Sequence, residues 1–245
     1  MVSTDSSLTR ISAICSFLSP LCVFVAIPIA VAADIPAGRI DFGNANTLQR
    51  LVTAMPGALW LAQLSLIGPT IALGAGIGWY QVLRTVGSYV ASGVLLWYLG
   101  MVLIVTQDAV EVAMVDYLPA AYAAADAPLR PSLLALGSGA SRSLDMLAAV
   151  GDYLSVLGLL LINVALWRYR RTLRPLAGVG FVSVFLIFGG LSLPSVSSDL
   201  QGLARLFPAG FMLFMLWMVG MGIVMLRWKP AAEVTPKRSV ETLSR

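Results

Sequence analysis

Five stretches of this chain contain no Asp, Glu, Lys or Arg: Ile11–Ala33, Leu51–Leu83, Thr85–Gln107, Pro175–Ser198 and Leu206–Leu226. Each reaches the ~20 residues that an α-helix needs to cross roughly 30 Å of hydrocarbon. A sixth stretch, Leu144–Trp167, is interrupted by Asp145 near its start and by Asp152 inside it. Hydrophobic residues are 58% and charged residues 11% of the chain, against about 45–50% and 25% in soluble domains. The expectation is therefore an all-α, polytopic membrane helix bundle of six transmembrane helices. The spans fall at about 11–33, 57–80, 85–107, 144–167, 175–198 and 206–226, followed by a mobile polar tail at 229–245. The second block is too long for one crossing, and Pro56 divides it. Asn46–Met55 before the proline reads as an amphipathic interfacial turn, with Asn46 as its cap.

The first block also has to be weighed as a secretory signal, because Ala30-Val31-Ala32 has the small residues of a cleavage site. Its apolar run exceeds the ~7–15 residues of such signals, and its leading segment carries Arg10 against Asp5. The reading is a retained first helix. The N-terminal segment, Arg84, the Arg168–Arg174 loop and the tail hold eleven of the 16 Lys and Arg residues. Basic segments stay on the cytoplasmic side, which places both termini in the cytoplasm. The net charge of +4 then reads as a topology and lipid signal, with no nucleic-acid partner implied. Arg168, Arg170, Arg171 and Arg174 are the expected contacts to anionic headgroups.

Absences narrow the chemistry further. With no histidine there is no histidine zinc site, no bis-histidine haem and no serine–histidine relay. The two lysines, Lys229 and Lys237, lie in the tail, outside any span. Cys15 and Cys22 are seven residues apart, about 10.5 Å along a helix, which is too far for a disulfide. No catalytic residue, cofactor or metal-ligand set is assigned. Ala149-Val150-Gly151-Asp152 lacks the first glycine of the Gly-x-Gly-Asp pattern of intramembrane aspartyl proteases, although Asp108 or Asp116 could partner Asp152. Gly137-Ser138-Gly139 has the look of a rhomboid serine motif, without the histidine that chemistry needs.

Small residues mark expected helix contacts, because association in lipid depends on close backbone approach. They are Thr9, Ser12, Ser16 and Ser19 in the first span, Gly74 and Gly78 in the second, and Gly151, Ser155 and Gly158 in the fourth. Pro20, Pro28 and Pro69 can kink their helices. Trp97, Tyr98, Trp167, Tyr169, Trp217 and Trp228 mostly lie near predicted ends and read as interfacial anchors. The external segment Leu118–Ser143, with Pro119 and the alanines at 120–125, reads as short helical turns over the bundle.

Asp152 is the sharpest feature. It lies eight residues into its span, about 12 Å along the axis, where an aspartate costs about 2.5–3.5 kcal/mol to insert and usually faces the bundle interior or an aqueous cavity. Asp145 and Asn163 fall within 20° of it on a helical wheel, by their offsets of seven and eleven residues. Asp108, Glu111, Asp145 and Asp152 are expected to converge at one outward-facing mouth, near Arg130 and Arg142, with Gln63 and Thr70 as candidate hydrogen-bond partners. Carboxylates without histidine or thiolate suit protons or hard cations. The competing reading is a hydrogen-bonded packing carboxyl at Asp152 and ordinary solvated helix ends elsewhere.

The layout resembles a bacterial family of six-helix membrane proteins known as domain of unknown function 4386. The resemblance covers roughly Thr9 to Trp228. It rests on Asn46-Thr47-Leu48-Gln49-Arg50-Leu51, on Gly151-Asp152-Tyr153-Leu154 through Leu159-Leu160-Leu161, and on Arg174-Pro175-Leu176-Ala177-Gly178-Val179. It implies a six-helix fold in a bacterial inner membrane. It implies no activity, and the histidines of the family's fourth helix are missing here. Two functions follow as expectations. The first is a non-catalytic subunit or assembly factor, packing with a larger membrane complex or with its own copies. The alternative is a small-solute, proton or cation binding or transport protein using an acidic cavity around Asp152. The first requires a filled interior, the second a cavity.

Overall fold

The computed structural model describes residues 4–32, 40–196 and 198–228. Among them there are seven α-helices and no strand: α1 (Thr4–Ala32), α2 (Ala45–Ala54), α3 (Gly57–Leu83), α4 (Tyr89–Ala124), α5 (Arg130–Tyr169), α6 (Arg174–Val196) and α7 (Leu206–Arg227). The 3-10 turns Arg171–Leu173 and Ser198–Arg205 precede α6 and α7. Six helices, all but the ten-residue α2, are long and apolar enough to cross a membrane. The expected tail at 229–245 and the loop residues 33–39 lie outside the described residues.

The six long helices form a closed ring in chain order. Each packs on its neighbour in sequence, and α7 returns to α1. Lipid supplies no hydrophobic drive between helices, so the ring depends on small residues that let backbones meet. A Cβ on Gly100 of α4 would collide with Ser155 Oγ and the Gly151 carbonyl of α5. One on Gly158 would lie 2.5 Å from the Gly93 carbonyl oxygen. Across α1 and α3, Gly74 faces Cys15 and Gly78 faces Ser12. Thr9, Ser12, Ser16 and Ser19 are all buried, and Thr9 Oγ1 donates to Gln81 Oε1 at 2.5 Å. The α6–α7 contact uses Gly210 against Ile187, with Ser183 Oγ donating to the Gly210 carbonyl at 2.8 Å. Cys15 and Cys22 are both free thiols.

Three expectations are corrected. The segment 118–143 is not a set of separate turns: α4 runs through Pro119 to Ala124, and α5 starts at Arg130. Alanine is the strongest helix former, and the alanine run carries α4 on past the proline. The 36 and 40 residues of α4 and α5 give lengths of about 54 and 60 Å, so this hairpin projects well beyond a hydrocarbon layer of about 30 Å. The segment before α3 folds against the projection. Phe42, Leu48 and Leu51 join Val115, Leu118, Tyr122 and Leu144 in a second apolar cluster, and the Phe42 N–H donates to Ser141 Oγ at 3.0 Å. Gly137 exists for this contact, since a Cβ there would overlap the Phe42 carbonyl.

The cap of α2 is Asn44, not Asn46. Its Oδ1 accepts from the backbone N–H groups of Asn46 and Thr47, as N-cap residues do. Finally, Trp97 and Trp217 are not interfacial anchors. Both are fully buried with Trp79 at the centre of the ring, with Trp79 ring centroids 4.6 Å from Trp97 and 5.0 Å from Trp217. Trp167, by contrast, is 44% exposed near the end of α5.

The glycine contacts give a direct stability test. Gly100→Leu forces α4 and α5 apart and is expected to cost about 1–3 kcal/mol by overpacking, read as easier denaturation in mixed micelles. Gly139→Leu, where an added Cβ meets nothing within 4 Å, is expected to stay within about 0.5 kcal/mol of the parent. Equal effects of the two substitutions would remove close backbone approach as the basis of the α4–α5 contact.

Candidate functional site

The ring is filled unevenly along its axis. The half holding the Arg84 turn and the Arg168–Arg174 segment is packed by the three indoles and by Met218, Met221 and Met225. The other half, toward the projecting hairpin, encloses a cavity of about 320 Å³. Five of the six ring helices line it, with Ser19 and Val23 from α1, Ser65, Gly68 and Pro69 from α3, Asp108 from α4, Asp152 from α5, and Phe207, Phe211 and Phe214 from α7. Because so many helices contribute, the cavity lies inside the ring and not on its outer surface. Ser65, eight residues into α3, borders the cavity and is itself exposed.

Each polar group is placed by its helix. Asp108 is buried, with 9% of its surface exposed, and its carboxylate makes no hydrogen bond or ion pair among the described residues. The Asp152 and Glu111 carboxylates are near enough for their charges to repel that of Asp108. Asp152, on the adjacent helix α5, is half-buried and borders the same cavity. Pro69 has no N–H to close the helical bond to the Ser65 carbonyl, so the turn of α3 that faces the cavity is short of one internal hydrogen bond. No lysine or arginine lines the cavity.

The predicted site residues divide. Asp108 and Asp152 share the cavity. Glu111 lies beside it, its Oε2 accepting from Gln107 Nε2 at 2.7 Å. Gln107 itself is buried. Asp145 is exposed, seven residues nearer the tip of the hairpin than Asp152, and does not line the cavity. Asn163 is buried but faces α6, where it lies against Gly180, and its Nδ2 donates to the Leu159 carbonyl at 2.9 Å. Eleven residues separate it from Asp152, about 16 Å along the axis. Sharing a wheel angle is not sharing an environment on a helix whose neighbours change along its length. Gln63 is half-buried outside the lining, whereas Leu64 and Ser65 beside it are in it. Thr70 donates to the Leu66 carbonyl of its own helix. Arg130 lies at the hairpin tip over the Tyr122 ring, far from the cavity.

The four arginines of the opposite end are all exposed. Arg168 lies over Tyr89, Arg170 over Tyr169 and Arg174 over Trp167, each guanidinium within 5.2–5.7 Å of the ring centroid. This arrangement holds positive charge at one level of the bundle.

Sequence reasoning missed the aromatic wall. Phe207, Phe211 and Phe214 recur at the i, i+4, i+7 spacing of one helix face. They continue as a ladder, Phe207–Phe211 at 6.3 Å, Phe211–Phe214 at 6.4 Å and Phe214–Trp217 at 6.0 Å, into the tryptophan core. The signal was that spacing, hidden in a span that is apolar on every side. Among the described residues, no group of three or more His, Cys, Asp and Glu is arranged to hold a metal ion. The chain matches no protein-family model, no curated protein and no solved structure.

The cavity's charge is open to test by its reactivity. In a Cys15→Ala, Cys22→Ala background, Ser65→Cys is expected to react about tenfold faster with an ethylammonium methanethiosulfonate than with the ethylsulfonate form, because a cleft of one sign concentrates the opposite charge. Asp108→Asn is expected to shrink that preference. Equal rates for the two reagents would mean that the mouth carries no negative field.

Proposed function

We propose that this chain is a cation-binding or transporting integral membrane protein whose binding chamber is the Asp108–Asp152 cavity. The observation that carries the reading is that the two acids from different helices border one cavity among the ring helices. A charged group at this depth is costly and is usually retained for an ion or proton path. The alternative of a non-catalytic subunit or assembly factor, packing with a larger complex or its own copies, calls for a filled interior, and the cavity weighs against it.

The distribution of arginines supports a bacterial inner-membrane location with both termini in the cytoplasm. The Arg168–Arg174 segment then lies at the cytoplasmic headgroups, where Arg168, Arg170, Arg171 and Arg174 meet anionic lipid. In this orientation the cavity opens outward, beneath the projecting α4–α5 hairpin. On this reading the tryptophan core lies between the cavity and the cytoplasmic end of the ring.

Proteoliposomes loaded with a pH dye and given an inside-negative potential are expected to acidify faster than protein-free liposomes. Asp108→Asn and Asp152→Asn should each bring the rate back to the protein-free level while leaving thermal unfolding unchanged. Acidification that persists unaltered in the double variant would overturn the reading.

A further inference from the structure

We propose that the ligand of the cavity is a hydrophobic organic ammonium ion, a small aromatic or branched aliphatic amine carrying one positive charge. This rests on the reading of the cavity as a cation site and specifies its substrate class.

Three properties of the lining select this chemistry. The first is charge. Both ionisable groups in the wall are acids, Asp108 and Asp152, and the remaining polar side chains, Ser19 and Ser65, offer hydroxyl oxygens. Asp108 is about nine-tenths buried and makes no hydrogen bond or ion pair among the described residues. A carboxylate so placed is stabilised by a cation brought against it. The second property is surface. Apart from those four residues the lining is carbon-rich, with Val23, Leu64, Ile104 and three phenylalanines. A bare inorganic cation wants six or more oxygen ligands in a tight shell, and it would leave most of this wall facing nothing. An organic body covers it.

The third property is size and shape. A volume of about 320 Å³ is at the lower end of small-molecule sites, which run to about 1,000 Å³, and far exceeds the ~30 Å³ share of one water. The phenylalanine wall of α7 stands opposite the acids of α4 and α5. A ligand with its charge between Asp108 and Asp152 therefore lays its apolar part along Phe207, Phe211 and Phe214, whose faces also attract a cation. Anionic ligands are repelled by both carboxylates, and neutral hydrocarbons leave Asp108 without a partner.

The test uses the full chain in lipid nanodiscs, with radiolabelled benzyltrimethylammonium in equilibrium dialysis and neopentylbenzene as its uncharged carbon isostere. The proposal expects saturable binding of one cation per chain, weakened about thirtyfold or more by Asp108→Asn, as for loss of a buried charge partner. Phe211→Ala should weaken it several-fold through loss of the aromatic wall. Neopentylbenzene at equal free concentration should not displace the cation. Displacement by the hydrocarbon, or binding indifferent to Asp108→Asn and to Asp152→Asn, overturns the proposal. Absence of saturable binding while Asp-dependent acidification persists overturns the ligand class alone and leaves the cation chamber standing. Absence of both overturns the two together.

Discussion

Helices in a bilayer gain nothing from hiding oil from water when the surrounding lipid is oil as well, so what holds this ring closed is contact between backbones. Every well-packed pair in it has a glycine or a serine at the crossing. Gly93, Gly100, Gly151, Ser155 and Gly158 join α4 to α5, Gly74 and Gly78 seat α1 on α3, and Gly210 admits α7 to α6. Close approach at these points fixes where each helix turns its larger side chains. That in turn decides which space inside the ring is filled. Three indoles and a set of methionines occupy one half. In the other half α7 offers phenylalanines to a volume that α1 and α3 bound mainly with serine, glycine, proline and alanine, and the volume stays open.

An open volume in the hydrocarbon layer carries consequences for the acids that border it. Asp108 and Asp152 come from adjacent helices whose contact is among the tightest in the ring, so neither can withdraw far from the other without breaking that contact. Two carboxyl groups held close together away from bulk water favour a positively charged neighbour over a negative one. Across from them the aromatic ladder would give an organic cation a face to lie on, and its continuation through Trp217 to Trp79 and Trp97 ends the cavity in dense packing.

The spans, the small-residue faces and the oddity of Asp152 were legible in the sequence because each depends on one helix at a time. What depended on neighbours was not. Trp97 and Trp217 lie near the middle of the spans 85–107 and 206–226, so their depth already argued against a headgroup, and the packing shows what they do there instead. Asn163 shares a wheel angle with Asp152, yet one helix of 40 residues meets α6 at one level and the cavity at another. The extension of α4 beyond Pro119 was hidden because a proline, scattered acids and an alanine run resemble a loop when no partner is in view. Phe207, Phe211 and Phe214 carried a readable spacing, but uniform hydrophobicity around α7 left no polar face to set it against. Asp108 read as a surface charge at a helix end until the true length of α4 put it below the projecting part.

That length bears on how the chamber is governed. The helix that carries Asp152 continues unbroken for some twenty residues to the hairpin tip, about 33 Å at the helical rise, with its partner α4 bound along it and Phe42 strapped across both. A rod of that length is a lever. On the proposed reading, tilting its outer arm by a few degrees would displace Asp108 and Asp152 together by about an ångström, because the α4–α5 contact ties them to one another.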